Sequence, residues 1–194
     1  MRWMLRRFKK RVVNSASRRL GEGFVQPLFY KIYNHHRPIR DDSFDGLDTN
    51  DEKFEYKSVR ALFPSGKDKD LSLYDEFMAP ADTYGRLAKM SDIENGKVVV
   101  NVQNIKPHTF DWLIYTIISQ DGFDVYKIKK EELEEKVESG EFPNWSKGHG
   151  REDKEGRNCQ FPITSENLKW HEQYKIDHFG WKEIAGIAKE IHRF

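Results

Sequence analysis

Residues 110–118 (FDWLIYTII) form the most apolar run in the chain, closed by Pro107 before it and by Asp121-Gly122 after it. A short run of aromatic and β-branched residues bounded by turn signals predicts a strand buried on both faces, at the centre of a sheet. Residues 124–128 (DVYKI) follow as its expected hairpin partner. Around this pair the pattern alternates. Helical spacing covers 24–36, with Pro27 near its start, and short strands are expected at 44–48, 54–59, 98–105 and 161–164. A helix interrupted by Pro80 is expected over 74–90, a strongly charged helix over 130–138, and a helix opening at Ser165. A terminal helix over 181–194 carries Ile184, Ile187, Ala188 and Ile191 on one face. Strands and helices mixed in this order predict an α/β (α+β) domain with a central mixed sheet flanked by helices.

At 194 residues the chain suits one domain, or one domain with an arm. No window approaches ~18 uninterrupted apolar residues, which excludes a membrane-spanning helix. Cys159 is the single cysteine, so an intrachain disulfide framework and a cysteine-built zinc site are both excluded. These features fit a cytoplasmic protein. The formal charge of +1 conceals an asymmetry: residues 1–20 hold eight basic residues and no acid, leaving −7 on residues 21–194. Met4, Phe8, Val12, Ala16 and Leu20 recur every four residues, which predicts a basic amphipathic helix or arm over 1–20 and a single domain over 21–194. Arg6, Arg7, Lys10 and Arg11 lie beside the stripe, suited to nucleic-acid phosphates. A removable presequence of the organellar type is the competing reading of this segment.

The chemistry-bearing stretch is Phe44-Asp45-Gly46-Leu47-Asp48 followed by Phe54-Glu55-Tyr56-Lys57-Ser58. A hairpin centred near Asn50 sets Asp45 across from Glu55, and period-two alternation puts Glu55 and Lys57 on one face. Two converging carboxylates are costly unless a cation neutralises them. Mg²⁺ takes hard oxygen ligands and keeps several waters, one of which can serve as a nucleophile. Asp48 is the alternative first acid if the turn is shorter. The competing reading is a surface hairpin with cross-strand ion pairs. Of four (D/E)-x-K triplets in the chain, only Glu55-x-Lys57 is interleaved with aromatic residues and preceded ten positions earlier by an acid.

On these residues the chain resembles the PD-(D/E)XK nuclease superfamily, which includes most type II restriction endonucleases. The resemblance implies a restriction-endonuclease-like fold in which Asp45 and Glu55 bind Mg²⁺ and Lys57 orients the attacking water and stabilises the phosphorane. It also implies double-stranded DNA as substrate, a 5′-phosphate product, and a homodimer that cuts both strands of a short site in a prokaryotic or phage-encoded setting. Phe44 stands where the motif's name expects Pro. Downstream, Gln103, Asn104 and Lys106 are placed to reach the DNA backbone or support the metal site. The Gly-rich loop over 139–160 offers His149, Arg151, Arg157, Asn158 and Gln160 as base readers. A repair or junction-resolving nuclease of the same fold, and a non-catalytic nucleic-acid-binding protein, are the alternative functions. His35-His36 reads as a phosphate contact or a surface pair.

Overall fold

The structure, a computed structural model, describes residues 8, 24–38, 44–63, 87–147 and 158–191. The apolar run forms β4 (Trp112–Ile118), which is buried from Leu113 onward. On one side it pairs in parallel with β2 (Lys53–Arg60), Phe54 opposite Trp112 through Arg60 opposite Ile118. On the other it pairs antiparallel with β5 (Gly122–Lys129), the hairpin partner expected from the sequence. β1 (Gly46–Leu47) and β8 (Lys175–Gly180) complete a five-stranded mixed sheet in the order β1-β2-β4-β5-β8.

Parallel strands cannot be joined by a hairpin. The chain between β2 and β4 accordingly carries a short helix, α2 (Met90–Glu94), and β3 (Val100–Ile105), numbered after α1 (Gln26–Tyr33). β3 belongs to a second, three-stranded sheet with β7 (Cys159–Ile163) and β6 (Ser146–Lys147), in the order β3-β7-β6. Three further helices follow β5: α3 (Lys130–Glu138), α4 (Leu168–Glu172) and α5 (Trp181–Ile191).

Alternation along β4 separates two cores. Leu113, Tyr115 and Ile117 face the small sheet and meet Val100, Val102, Ile105, Phe161 and Ile163. Ile114 and Ile118 face the helices, where Leu28 and Phe29 of α1 and Trp181 and Ile184 of α5 close the layer. The mixed sheet flanked by helices is the expected class. Its small second sheet is an addition that short strands scattered along the sequence did not reveal.

Several boundaries differ from expectation for physical reasons. The strand expected over 44–48 shrinks to Gly46–Leu47, because the Asp45 side chain, rather than its backbone, takes the next hydrogen bond from β2. The 139–160 loop is partly structured. Phe142 and Trp145 pack on Phe161 at centroid distances of 4.9 and 5.9 Å, and β6 pairs with β7 beside them. β8 was not expected, since its exposed Ile176 and His178 and its bonded Asp177 do not show an apolar alternation. The helix expected over 74–90 lies outside the described residues except for its last positions, where Met90 opens α2. Of the basic arm only Phe8 is described; it packs edge-on against Phe24 and Trp181. Among the described residues no helix is long and apolar enough to cross a membrane.

Gly122 sits where β4 turns into β5 and β8 closes over it. A Cβ there would lie 2.3 Å from the Phe179 carbonyl oxygen, and φ is +152°. Gly122→Ala is therefore expected to destabilise the fold by roughly 2–4 kcal/mol, through backbone strain and loss of β5–β8 pairing. Urea denaturation of the two chains measures it, and equal midpoints would contradict the close approach.

Candidate active site

The hairpin that bears the candidate residues is built by its turn. Asp48 Oδ1 accepts the Asn50 amide at 2.8 Å and the Glu52 amide at 3.0 Å, while its Oδ2 takes the Asn50 side-chain amide at 3.4 Å. A carboxylate bonded to the backbone two and four residues on is the usual organiser of such a turn. Both Asp48 oxygens are thereby engaged within the turn. The register that follows pairs Leu47 with Lys53 and Gly46 with Phe54, which carries Asp45 to the position opposite Glu55. The expected hairpin centre near Asn50 matches this register.

Asp45 is held on several sides. Its amide donates to the Phe54 carbonyl at 2.8 Å, its Oδ2 accepts the Tyr56 amide at 2.9 Å, and its carbonyl accepts the Tyr30 hydroxyl at 2.5 Å. Gly46 is required next to it. The Tyr56 ring lies across this residue so closely that a Cβ would stand 2.7 Å from the hydroxyl.

Glu55 and Lys57 point to the face of β2 that carries Leu113 and Tyr115 in the neighbouring strand. Glu55 is only 3% exposed, and its carboxylate is paired with the Lys57 ammonium. Burial pushes the Glu55 carboxyl up to about 7. Lys57 pulls the other way, Asp45 pushes further up, and Lys106 pulls down. Lys57, Asp45 and Lys106 thus all act electrostatically on Glu55. Lys106 follows β3, in which one extra residue is inserted between Val102 and Ile105 and Asn104 adopts φ 58°. The bulge keeps Ile105 in the core although Val102 is an odd number of positions away.

The acidic donors the site offers are Asp45 and Glu55. Among the described residues no three His, Cys, Asp or Glu side chains gather as a ligand group. Two carboxylates with room for water and phosphate oxygens are what Mg²⁺ commonly uses, whereas structural zinc calls for four protein ligands.

The remaining candidates are dispersed. Gln103 is exposed on β3, Asn158 and Gln160 are half-buried, and the Gln160 side chain receives the Asn101 amide at 3.4 Å. Arg6, Arg7, Lys10, Arg11, His149, Arg151 and Arg157 lie outside the described residues. Cys159 is buried in β7. His35 is part of the hairpin's support: its ring lies 4.0 Å from the Phe54 ring and its Nδ1 is 2.5 Å from the Tyr56 hydroxyl. Burial, reinforced by Lys127, lowers its pKa to about 4, so it is neutral at pH 7. The residues that sequence reasoning missed are Tyr30, Gly46 and Tyr56. A signal for Gly46 was visible, since glycine directly after the first acid marks a close approach. Nothing in the sequence linked Tyr30 to Asp45.

No family model, curated protein or solved structure matches the chain. What the site does must be read from its own side chains.

Glu55 yields a stability test. Its folded-state pKa of about 7 lies above the ordinary 4.5, so between these values the folded chain holds a proton that the unfolded chain has lost. Stability therefore falls as pH rises through this window and levels off above it, by about 3 kcal/mol in all. Glu55→Gln removes the titration. In urea denaturation with EDTA, this variant should gain on the wild type by about that amount between pH 4.5 and pH 8. Parallel stability curves would mean that burial does not raise the Glu55 carboxyl.

Proposed function

We propose that this chain is a Mg²⁺-dependent DNA endonuclease of the PD-(D/E)XK type, with a restriction-endonuclease-like fold. The observation that carries the reading is Glu55: a buried carboxylate paired with Lys57 and facing the position of Asp45 across a hairpin whose register had been expected from sequence. A surface ion pair would have no reason to be buried. Burying a carboxylate costs stability unless a partner compensates, and even with Lys57 paired to it the Glu55 carboxyl is pushed up to about 7. Such a standing cost is expected where groups are held for chemistry.

In this reading Asp45 and Glu55 would hold Mg²⁺, which when bound would supply positive charge and lower the pKa of a bound water. Lys57 orients the attacking water and offsets the negative charge that builds on the phosphorane as water attacks phosphorus and the bond to the 3′ oxygen breaks. Products are a 5′-phosphate and a 3′-hydroxyl. Lys106, which acts electrostatically on Glu55, is suited to a neighbouring backbone phosphate. The substrate is double-stranded DNA with a short recognition site. One catalytic centre per chain makes a homodimer the simplest way to cut both strands.

Asp45→Ala and Lys57→Ala should each lower Mg²⁺-dependent plasmid cleavage by on the order of 10²–10³-fold or more, with duplex binding in Ca²⁺ changed little. A gel assay on intact plasmid, linear duplex, branched and single-stranded DNA reads both the loss and the substrate class. Discrete bands from plasmid support a restriction enzyme, while cutting confined to branched DNA would shift the assignment to a junction-resolving nuclease. If the wild type binds DNA but cuts none of these, or both variants still cut, the nuclease reading fails.

A further inference from the structure

Asp45 lies just before β1, which is two residues long, and its amide still donates to the Phe54 carbonyl of β2 at 2.8 Å. The Asp45 carbonyl takes its hydrogen bond from a helix: the Tyr30 hydroxyl of α1, at 2.5 Å. Burial, with Asp45 adding to it, pushes the Tyr30 hydroxyl up to about 12, so it remains a donor throughout the neutral range. The Tyr30 ring also meets the Tyr56 ring edge-on at 6.1 Å, and the Tyr56 amide is the group that holds Asp45 Oδ2. One tyrosine hydroxyl and one strand amide therefore fix the backbone and the side chain of the same acid.

The helix that provides this hydroxyl is anchored beyond the hairpin as well as on it, where the Phe29 ring meets the Tyr56 ring at 5.3 Å. Leu28 and Phe29 are buried in the helix-side core, and the Tyr33 hydroxyl donates to Asp177 Oδ2 of β8 at 2.7 Å. α1 thus carries two tyrosines three residues apart, each donating to an aspartate residue of the same sheet. One reaches the backbone of the candidate metal ligand and the other reaches a carboxylate in β8, a strand remote from β1 in the sheet order.

We propose that Tyr30 is a positioning residue of the metal centre, its hydroxyl fixing the Asp45 main chain so that the carboxylate is presented toward Glu55 before any cation arrives. The proposal rests on the nuclease reading of Asp45 and Glu55. Groups that orient a ligand without touching the metal typically contribute 10–100-fold to metal affinity, because an unfixed ligand must be ordered at the expense of binding.

The test measures divalent binding to the full chain without DNA, by isothermal titration with Mg²⁺ and with Mn²⁺. Tyr30→Phe keeps the ring and removes the hydroxyl, and should weaken both ions by on the order of 10-fold. Tyr33→Phe removes the matching hydroxyl from the same helix and should leave both affinities unchanged, which separates positioning from a general loosening of α1. Cleavage by Tyr30→Phe should need proportionately more Mg²⁺ and recover at saturation. In the wild type, the ζ-carbon resonance of Tyr30 should move along the Mg²⁺ titration while that of Tyr33 stays still, a readout that needs no variant to fold. If Tyr30→Phe binds both ions like the wild type while Asp45→Asn does not, or the Tyr30 resonance is silent, the positioning role is overturned and the metal centre stands. If Asp45→Asn also binds both ions like the wild type, the metal centre itself is wrong, and the proposal goes with it.

Discussion

The burial of β4 on both faces is the constraint from which the rest follows. A strand with apolar side chains on both faces must be covered twice. The fold answers with a layer of two helices on one side and a small sheet on the other. Placing β2 parallel to it, rather than in a hairpin, forces a long connection, and that connection delivers β3. Lys106, which follows β3, lowers the pKa of the Glu55 carboxyl electrostatically. The same connection thus helps enclose the core and supplies a lysine that acts on Glu55.

The two faces of β2 then divide the labour. Phe54 and Tyr56 go to the helix side, where His35 and Phe29 stack on them. Glu55 and Lys57 go to the side of the small sheet, where the strand next door offers Leu113 and Tyr115. The aromatic residues anchor the strand, and the charged residues alternate with them into surroundings that do not solvate a carboxylate. The unusual feature of the site is therefore produced by ordinary strand alternation. A helix bearing the same Glu-x-x spacing on a solvated face, as in α3, leaves its acids exposed: Glu134 and Glu135 both face solvent.

Much of this was legible in the sequence, for identifiable reasons. β4, β5 and α5 were readable because their periodicity is set by burial, and burial leaves a pattern in residue type. The register of the β1–β2 hairpin was readable because it is fixed locally by Asp48 and the turn. β8 and β6 were not, because both gain their place from tertiary contacts that a half-exposed pattern does not advertise. The candidate site divides in the same way. Asp45, Glu55 and Lys57 lie within one hairpin, so spacing alone brought them together. Tyr30 is fifteen residues away on a helix, and its contact is to a backbone carbonyl, which no choice of residue type at position 45 encodes. The irregularity in β3 was not legible either, because a one-residue insertion in a strand has no reliable signature beyond a residue tolerant of positive φ, here Asn104.

The contrast between Asp45 and Asp124 bears on what the hairpin is for. Asp124 in β5 is a structural acid: 1% exposed, with its Oδ1 taking both Lys175 Nζ at 2.6 Å and His178 Nδ1 at 2.8 Å. The Lys175 cation and the His178 ring come to it from the adjacent strand, while its Oδ2 stays buried without a hydrogen-bond partner among the described residues. Asp45 has the opposite provision. Its backbone amide and carbonyl and one side-chain oxygen are bonded to uncharged groups, and among the described residues no cation pairs with it in an ion bridge. Among the described residues Asp45 is thus fixed firmly without a paired cation, next to a second carboxylate that burial pushes up to about 7 even with Lys57 beside it; under the proposed function, a hard divalent cation is the species that would serve both acids at once.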